Sequence, residues 1–202
     1  MKSDPPITSR AAKADATRAA ILASARRAFA EHGYEGAGLR GIAEAAGVTA
    51  MMVGRYFGSK EGLFGEVVID TMRDPVILSE SNLRRADLPR AFAEALVGVT
   101  TQGKTPLDGF LILFRSTNSP IAARIARERI AQIHQTTATT AIEGDHPSER
   151  AALFLALVAG VQLMRQMLEL EPLTKAEPAL LIDLLTPVIA SLIAFNSPIT
   201  DK

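Results

Sequence analysis

The sequence predicts an all-α protein. Ala and Leu dominate the 202 residues, and these two lead the order of intrinsic helix propensity. Apolar residues recur three and four positions apart, as on one face of a helix, and no segment alternates as a strand would. Ser, Thr, Pro and Gly, which are typical of helix ends, separate the periodic segments.

The N-terminus is predicted to be an arm followed by a helix. Residues 1–14 are polar and aperiodic and contain two prolines, so we expect a flexible arm. The first helix is predicted over 15–32, because Ile21 and Phe29 lie on one apolar stripe. Gly33 then ends this helix as a left-handed cap.

Two short helices follow. The second is predicted over 39–46 and the third over 50–57, with Thr49 as N-cap of the third. Only Gly47 and Val48 separate the second helix from that cap. Helices joined so tightly must cross steeply, which is the helix-turn-helix arrangement.

A helix-turn-helix presents its second helix, here 50–57, to the major groove of DNA. Val53 and Phe57 are four residues apart and must face inward to hold this helix on its domain. The outward face then carries Ala50, Met51, Gly54 and Arg55. Met51 and Met52 can contact thymine methyl groups, a known apolar form of base recognition. The alternative for both methionines is ordinary core packing.

Gly54 is unexpected in the middle of a short helix, where glycine costs about 1 kcal/mol relative to alanine. One interpretation is that a missing side chain lets the helix lie flat against the sugar-phosphate backbone. The other is that a DNA contact has been lost at this position. The sequence leaves both open.

Several side chains near this helix can contact DNA. Arg40 can reach a guanine edge or a phosphate, and Arg55, Tyr56 and Lys60 can contact phosphates. Thr49 and the amide end of its helix can hold a further phosphate. Residues 1–60 hold nine Lys and Arg against five Asp and Glu, whereas the remainder hold 13 against 17. This asymmetry predicts that only the N-terminal part meets a polyanion.

Longer helices are predicted in the rest of the chain. Ser59 caps a fourth helix that Asp74-Pro75 closes, and a polar linker covers 79–87. The later helices are predicted over 89–101, 106–117, 120–141, 148–170 and 178–195. Thr174 and Glu177 form a capping box before the last helix, and Pro187 predicts a kink or a break within it.

The two last helices are apolar on nearly every side, so nearly every side must be covered. We expect a second subunit to supply part of that cover, whereas full burial within one monomer is the alternative. The candidate interface residues are Leu153, Leu157, Val161, Leu181, Leu184, Leu185 and Val188.

Other functional classes find little support. The chain has no cysteine, and His32, His134 and His146 lack the spacing of a zinc site, so we expect no metal and no cofactor. No nucleotide-binding or hydrolase motif is present, and we expect no enzyme. No signal peptide is recognised, and the most apolar run, Ala151–Met164, is too short to span a membrane, so we expect a cytoplasmic protein.

Residues 18–64 resemble the DNA-binding domain of the TetR family of bacterial transcriptional repressors. The resemblance is carried by RAAILASARRAFAEHGYEG, LRGIAEAAGVT and RYFGSKEGLF. It implies base contacts by Arg40, Ala50, Met51 and Met52, and phosphate contacts by Thr49, Arg55, Tyr56 and Lys60. The chain departs from the family pattern at Gly38-Leu39, where a Thr or Ser usually caps the second helix. It departs again at Gly54, where a phosphate-binding Tyr is usual.

The resemblance also implies a domain organisation. Residues 15–60 would form the DNA-binding domain, and 61–202 an all-α ligand-binding and dimerisation domain. Candidate residues of a ligand pocket are Phe92, Leu96, Phe110, Leu113, Phe114, Arg115 and Met164. Ordinary core packing is the alternative for each of them, and Arg115 would meet an anionic ligand.

These observations predict a sequence-specific DNA-binding transcriptional regulator. The expected form is a homodimeric repressor that binds an inverted-repeat operator in double-stranded DNA and is released by a small molecule. The alternatives are a helical adaptor that binds protein, an activator, and a regulator without a ligand. The sequence does not define the effector, the operator or the regulated genes.

Overall fold

The structure is a computed structural model that describes residues 7–101 and 108–194. It confirms the all-α prediction, since every regular element in these ranges is a helix. The helices are α1 (Ile7–Gly36), α2 (Leu39–Ala45), α3 (Ala50–Phe57), α4 (Lys60–Thr71), α5 (Glu80–Leu83), α6 (Leu88–Val99), α7 (Asp108–Ser116), α8 (Pro120–Ile130), α9 (Thr136–Thr140), α10 (Pro147–Gln162), α11 (Glu171–Thr174) and α12 (Pro178–Ile193). Single π-helical turns follow α8 (Ala131–Gln135) and α10 (Leu163–Met167).

The chain forms two compact units. The described residues of the first are 7–71 and 108–129, and those of the second are 72–101 and 130–194. No helix in the described part of the chain has the length and hydropathy that a membrane span requires.

An aromatic cluster forms the centre of the first unit. The ring centroids of Phe29 and Phe64 are 5.1 Å apart and meet edge to face, and Tyr34 contacts Phe64 in the same way at 5.1 Å. Ile21 and Phe29 are fully buried, which confirms the apolar stripe predicted on the first helix. Edge-to-face ring pairs of this kind add to the free energy gained by burial alone.

Helix α1 begins earlier than predicted, and at Gly33, where the sequence predicted its end, it kinks and continues to Gly36. It starts at Ile7 rather than at residue 15, because the alanine-rich stretch 11–16 favours helix. The first six residues of the expected arm lie outside the described part. The helix kinks at Gly33, whose φ of 66° and ψ of −177° suit glycine alone. A Cβ here would lie 2.5 Å from the Arg115 carbonyl oxygen.

Hydrogen bonds join the kink at Gly33 to α7. The Tyr34 amide donates a hydrogen bond to Ser116 Oγ at 3.0 Å. The Arg115 guanidinium donates to the carbonyls of Ala30 and Glu31, which are among the last of the straight part of α1. The C-terminal turn of α7 therefore caps α1 within the first unit.

The second unit is built on α6, α10 and α12. The rings of Phe92 and Phe154 lie 5.1 Å apart in a core that also contains Ile189. Helix α12 continues through Pro187, so the predicted break does not occur. The predicted capping box is wrong: Thr174 lies in α11 and its hydroxyl donates to the Glu171 carbonyl at 3.3 Å. Pro178 opens α12 instead, because its missing N–H needs no cap.

Two arginines that donate to backbone carbonyls are buried in the second unit. Arg165 donates to the Val97 carbonyl and to Thr100 Oγ1, both at 2.7 Å, and to the Leu173 carbonyl at 3.1 Å. Burial lowers the pKa of this guanidinium. Arg150 donates to four backbone carbonyls, including that of Leu192 at 2.7 Å. Both side chains tie helix ends together.

Candidate nucleic-acid interface

Helices α2 and α3 form the helix-turn-helix that the sequence predicts. The turn between them contains Gly47, which has a φ of 68°. Thr49 Oγ1 accepts a hydrogen bond from the Met52 amide at 3.3 Å, so Thr49 is the N-cap of α3. Val53 is 1% exposed and Phe57 is 9% exposed, which confirms that these two side chains hold α3 on its unit.

The eight residues predicted to contact DNA lie on three consecutive elements: the first turn of α2, the whole of α3 with its cap, and the first residue of α4. Those exposed to solvent are Arg40, Thr49, Ala50, Met51 and Arg55, whereas Met52, Tyr56 and Lys60 are half-buried. Met51 is 85% exposed, so core packing does not explain it. An apolar side chain this exposed is suited to an external apolar contact.

The two exposed arginines of this surface have no partner within the described ranges. Neither Arg40 nor Arg55 makes an ion pair or side-chain hydrogen bond there, although ion pairs are frequent elsewhere in the first unit. Gly38 precedes α2 as its N-cap and supplies no side-chain bond, as its departure from the family pattern predicts. The positive charge at this end of α2 is therefore available to an anion outside the chain.

Lys60 differs from these arginines because it has partners in the chain. Its Nζ donates to the Glu35 carbonyl at 3.4 Å and lies 4.7 Å from the centroid of the Tyr34 ring. These contacts offset the unfavourable position of a cation at the start of a helix. Burial raises the pKa of the Tyr34 phenol, and the Glu61 and Glu35 carboxylates raise it further.

Arg18 is a residue of this region that the sequence analysis did not single out. Its guanidinium carbon lies 5.1 Å from the centroid of the Phe57 ring, and the same group pairs with Glu66 on α4. The signal in the sequence was weak, because the contact joins residues 39 positions apart in the numbering.

Gly54 is half-buried, and a Cβ built on it meets nothing within 4 Å among the described residues. Packing within the chain therefore does not require glycine there. We expect Gly54→Ala to raise the free energy of unfolding by about 0.5–1 kcal/mol through helix propensity. Urea denaturation followed by circular dichroism measures this change.

The same Gly54→Ala variant distinguishes the two interpretations of the glycine. We expect weaker duplex binding, because a methyl group would separate α3 from the sugar-phosphate backbone. Unchanged or tighter binding would show instead that the glycine marks a lost contact. Gly98→Ala makes the same substitution inside α6 of the second unit, where a Cβ also meets nothing within 4 Å among the described residues, and controls for the effect of helix propensity.

The predicted pocket residues are divided between the two units. Phe92 and Leu96 are fully buried in the second unit, and Met164 is 39% exposed in that unit. The other four belong to the first unit: Phe110, Leu113, Phe114 and Arg115. We reassign Arg115 from ligand binding to capping, because its guanidinium is engaged by carbonyls of α1.

The predicted interface residues divide by exposure. Leu153, Leu184 and Val188 are about half exposed, at 58%, 59% and 46%. Leu157, Val161 and Leu185 are half-buried. Leu181 is only 7% exposed, because it faces the core of its own unit, and we remove it from the interface set. In the described ranges, no cluster of His, Asp and Glu is suited to bind a metal ion.

Two family profiles match the chain. The profile of bacterial regulatory proteins of the tetR family matches residues 21–67. The profile of the tetracyclin repressor-like C-terminal domain matches residues 86–193. The first match includes the helix-turn-helix and the second includes α6 to α12.

Individual relatives agree with these profiles. The HTH-type transcriptional repressor AcnR of Corynebacterium glutamicum is 44% identical over 68 residues, which are 33% of this chain and just over a third, 36%, of that protein. The HTH-type transcriptional regulator BetI of Burkholderia mallei is 29% identical over 185 residues, covering 86% of this chain and 93% of BetI. The solved structure of Salmonella enterica GusR has a TM-score of 0.68 at 18% identity and covers 89% of this chain and 96% of that one. At that identity the likeness to GusR shows the fold.

Proposed function

The chain belongs to the TetR family of bacterial regulatory proteins, and from this premise we propose that it is a homodimeric repressor that leaves its operator when a small molecule binds. The family is one of DNA-binding transcriptional regulators. The observation that carries the proposal is the exposed outer face of α3, with Met51 projecting from it and Arg40 and Arg55 unpaired in the described part of the chain. AcnR is named as a repressor, which favours repression over activation.

We assign α3 to the major groove of an operator. Arg40, Ala50, Met51 and Met52 would contact base edges there. The remaining predicted residues, Thr49, Arg55, Tyr56 and Lys60, would bind phosphates and fix the position of the helix. The N-cap hydroxyl of Thr49 and the free amides of the first turn add a phosphate site of their own.

The dimer is proposed from the exposed apolar surface of the second unit. Leu184 and Val188 are four residues apart on α12, and Leu153 is exposed on α10. A second copy would remove these side chains from water and bring two recognition helices together. The DNA-binding domains of two identical subunits, related by a twofold axis, would bind an inverted repeat whose half-sites lie about 34 Å apart.

The small-molecule site is proposed for the second domain, which by the sequence division is 61–202, whereas 15–60 would be the DNA-binding domain. A ligand would weaken operator binding if it bound better to the dimer whose two DNA-binding domains have a spacing that does not fit the operator. Couplings of this kind are typically about 1–3 kcal/mol, or roughly 5- to 150-fold in affinity. Phe92, Leu96 and Met164 remain the candidate residues in the second unit.

The contact assignment is tested on a duplex that the wild-type chain selects from a random pool. We expect Arg40→Ala and Lys60→Ala each to weaken binding by about fivefold or more, without loss of helicity. Lys60→Ala should also make the dependence of affinity on salt less steep by about one unit, because one phosphate contact is lost, whereas Arg40→Ala removes a base contact and should relax the sequence preference at that base. Fluorescence anisotropy over a salt series measures both quantities.

Arg127→Ala is the matched control, since it removes an exposed arginine from α8. The contact assignment is wrong when both variants bind like the wild type. A wild-type chain that binds no duplex even at low salt would contradict the proposed function itself.

A further inference from the structure

We propose that Arg18 is a positioning residue for the recognition helix α3: its guanidinium lies over the ring of Phe57 at the end of α3, while Glu66 on α4 holds it in place. This inference rests on the proposed role of α3 in DNA recognition. Arg18 lies on α1, so the contact joins three helices of the first unit.

Helix α3 needs such support because it is short. It has eight residues, and isolated helices of this length are not stable in water. Two buried side chains, Val53 and Phe57, hold it on the unit. Phe57 is its last residue, and the chain leaves the helix at Gly58 with a φ of 76°. The orientation of the C-terminal half of α3 therefore depends on how firmly the Phe57 ring is held.

Arg18 covers this ring from the α1 side. Its guanidinium carbon is 5.1 Å from the ring centroid, within the range of a cation–π contact. The side chains of Arg18 and Glu66 remain 40% and 42% exposed, so the ion pair alone would contribute little. Its effect is geometric, since a planar guanidinium fixed at one edge is kept over the ring.

The partners of Arg18 distinguish it from the residues proposed to contact DNA. Its charge is balanced by Glu66 and one of its faces covers Phe57, whereas Arg40 and Arg55 have no partner in the described ranges. Arg55 and Tyr56 directly precede Phe57, so a loosened ring would displace their phosphate contacts. Loss of Arg18 should lower affinity without removing a phosphate contact.

The test compares variants on a 30-base-pair duplex that wild-type protein selects from a random pool. We expect Arg18→Ala to weaken binding about fivefold, as for a partly exposed cation–π contact, with an unchanged salt dependence. Arg18→Lys should recover part of the loss, because an ammonium group can also lie over the ring. Glu66→Gln breaks the ion pair without touching the core and should weaken binding about twofold.

A double-mutant cycle separates positioning from general stability. In a Phe57→Leu background, which keeps an apolar anchor but removes the ring, Arg18→Ala should no longer weaken binding. Arg27→Ala removes another exposed arginine of α1 and should change neither affinity nor salt dependence. Circular dichroism on each variant corrects the affinity for the folded fraction.

Three results would overturn the inference alone while the wild type binds DNA. The first is an Arg18→Ala chain that binds DNA as tightly as the wild type. The second is an Arg18→Ala chain whose affinity depends on salt less steeply by about one unit, which would make Arg18 a phosphate contact. The third is an Arg18→Ala change that weakens binding in the Phe57→Leu background as much as it does in the wild type. A wild-type chain that selects no duplex would overturn the proposed function, and this inference with it.

Discussion

Replacing Arg150 by methionine is expected to lower the free energy of unfolding by about 3–5 kcal/mol. Each hydrogen bond from a charged donor contributes about 1.5–3 kcal/mol, and losing these bonds leaves buried carbonyl acceptors unsatisfied. Arg150 is 5% exposed. Its Nε donates to the Leu192 carbonyl at 2.7 Å and its Nη2 to the Ile193 carbonyl. These carbonyls belong to the last turn of α12, where a cation is favourable to the helix dipole.

The other side of the Arg150 guanidinium holds the connection that leads into α10. Nη1 donates to the carbonyls of Glu143 and Asp145 at 2.7 and 2.8 Å. Methionine fills a similar volume but donates nothing, so the buried carbonyls must find water or stay unpaired. Urea denaturation followed by circular dichroism measures the effect.

Arg124→Met is the matched control for Arg150, because Arg124 is 52% exposed and its partners are surface carboxylates. We expect this control to change the free energy of unfolding by less than about 1 kcal/mol. An Arg150→Met chain within that same range would mean that water replaces the guanidinium at both sets of carbonyls.

The elements that the sequence predicted well depend on local rules. Thr49 caps α3, Ser59 accepts the Gly62 amide at 3.1 Å at the start of α4, and Gly33 takes a positive φ. Each of these follows from chemistry within a few residues. The capping box at Thr174 also obeys the local rule, but a short helix, α11, formed over the preceding residues and used that threonine.

Contacts between distant residues explain what the sequence did not predict. Arg150 bonds to carbonyls 42 and 43 positions away, and Arg165 to one 68 positions away. The spacing of residues in the sequence does not indicate a hydrogen-bond partner so far away along the chain. The contacts of Arg115 are of the same kind, because only the fold brings its guanidinium to the carbonyls of Ala30 and Glu31.

The candidate site was accessible to sequence reasoning because α3 is short and one-sided. Val53 and Phe57 fix its inner face, so the outer face follows from helix geometry. The sequence does not divide α12 into an inner and an outer face, because both of its faces are apolar. Only the structure separates Leu181, which faces the core, from Leu184, which faces solvent.

Changing Leu184 to glutamate is expected to convert dimers into monomers and to weaken duplex binding by a factor on the order of a hundred. Leu184 is 59% exposed, and Leu180 and Val188, four residues to either side, are 54% and 46% exposed. A glutamate there remains solvated in the monomer and costs it little. In a dimer the same carboxylate would lose its hydration without gaining an ion-pair partner. The free energy gained by burying the surrounding apolar surface does not offset that desolvation cost.

DNA affinity falls because the DNA-binding domain of a monomer is no longer joined to a second one. When one DNA-binding domain of a dimer is bound, the other meets its half-site at a high effective concentration. This raises the overall affinity by a factor of roughly 10²–10⁴ without a new contact. A monomer keeps its single-head contacts but not this gain. Size-exclusion chromatography with light scattering measures the oligomeric state, and anisotropy on the selected duplex measures the affinity.

Val76→Glu controls for placing a carboxylate on an exposed apolar position of the second unit, since Val76 is 53% exposed and lies outside α10 and α12. We expect it to stay dimeric and to bind as the wild type does. If Leu184→Glu also stays dimeric, the subunits meet elsewhere than on α12. If it becomes monomeric yet binds the duplex undiminished, one head suffices, and the inverted-repeat operator loses its physical basis because a single recognition helix would carry all of the specificity.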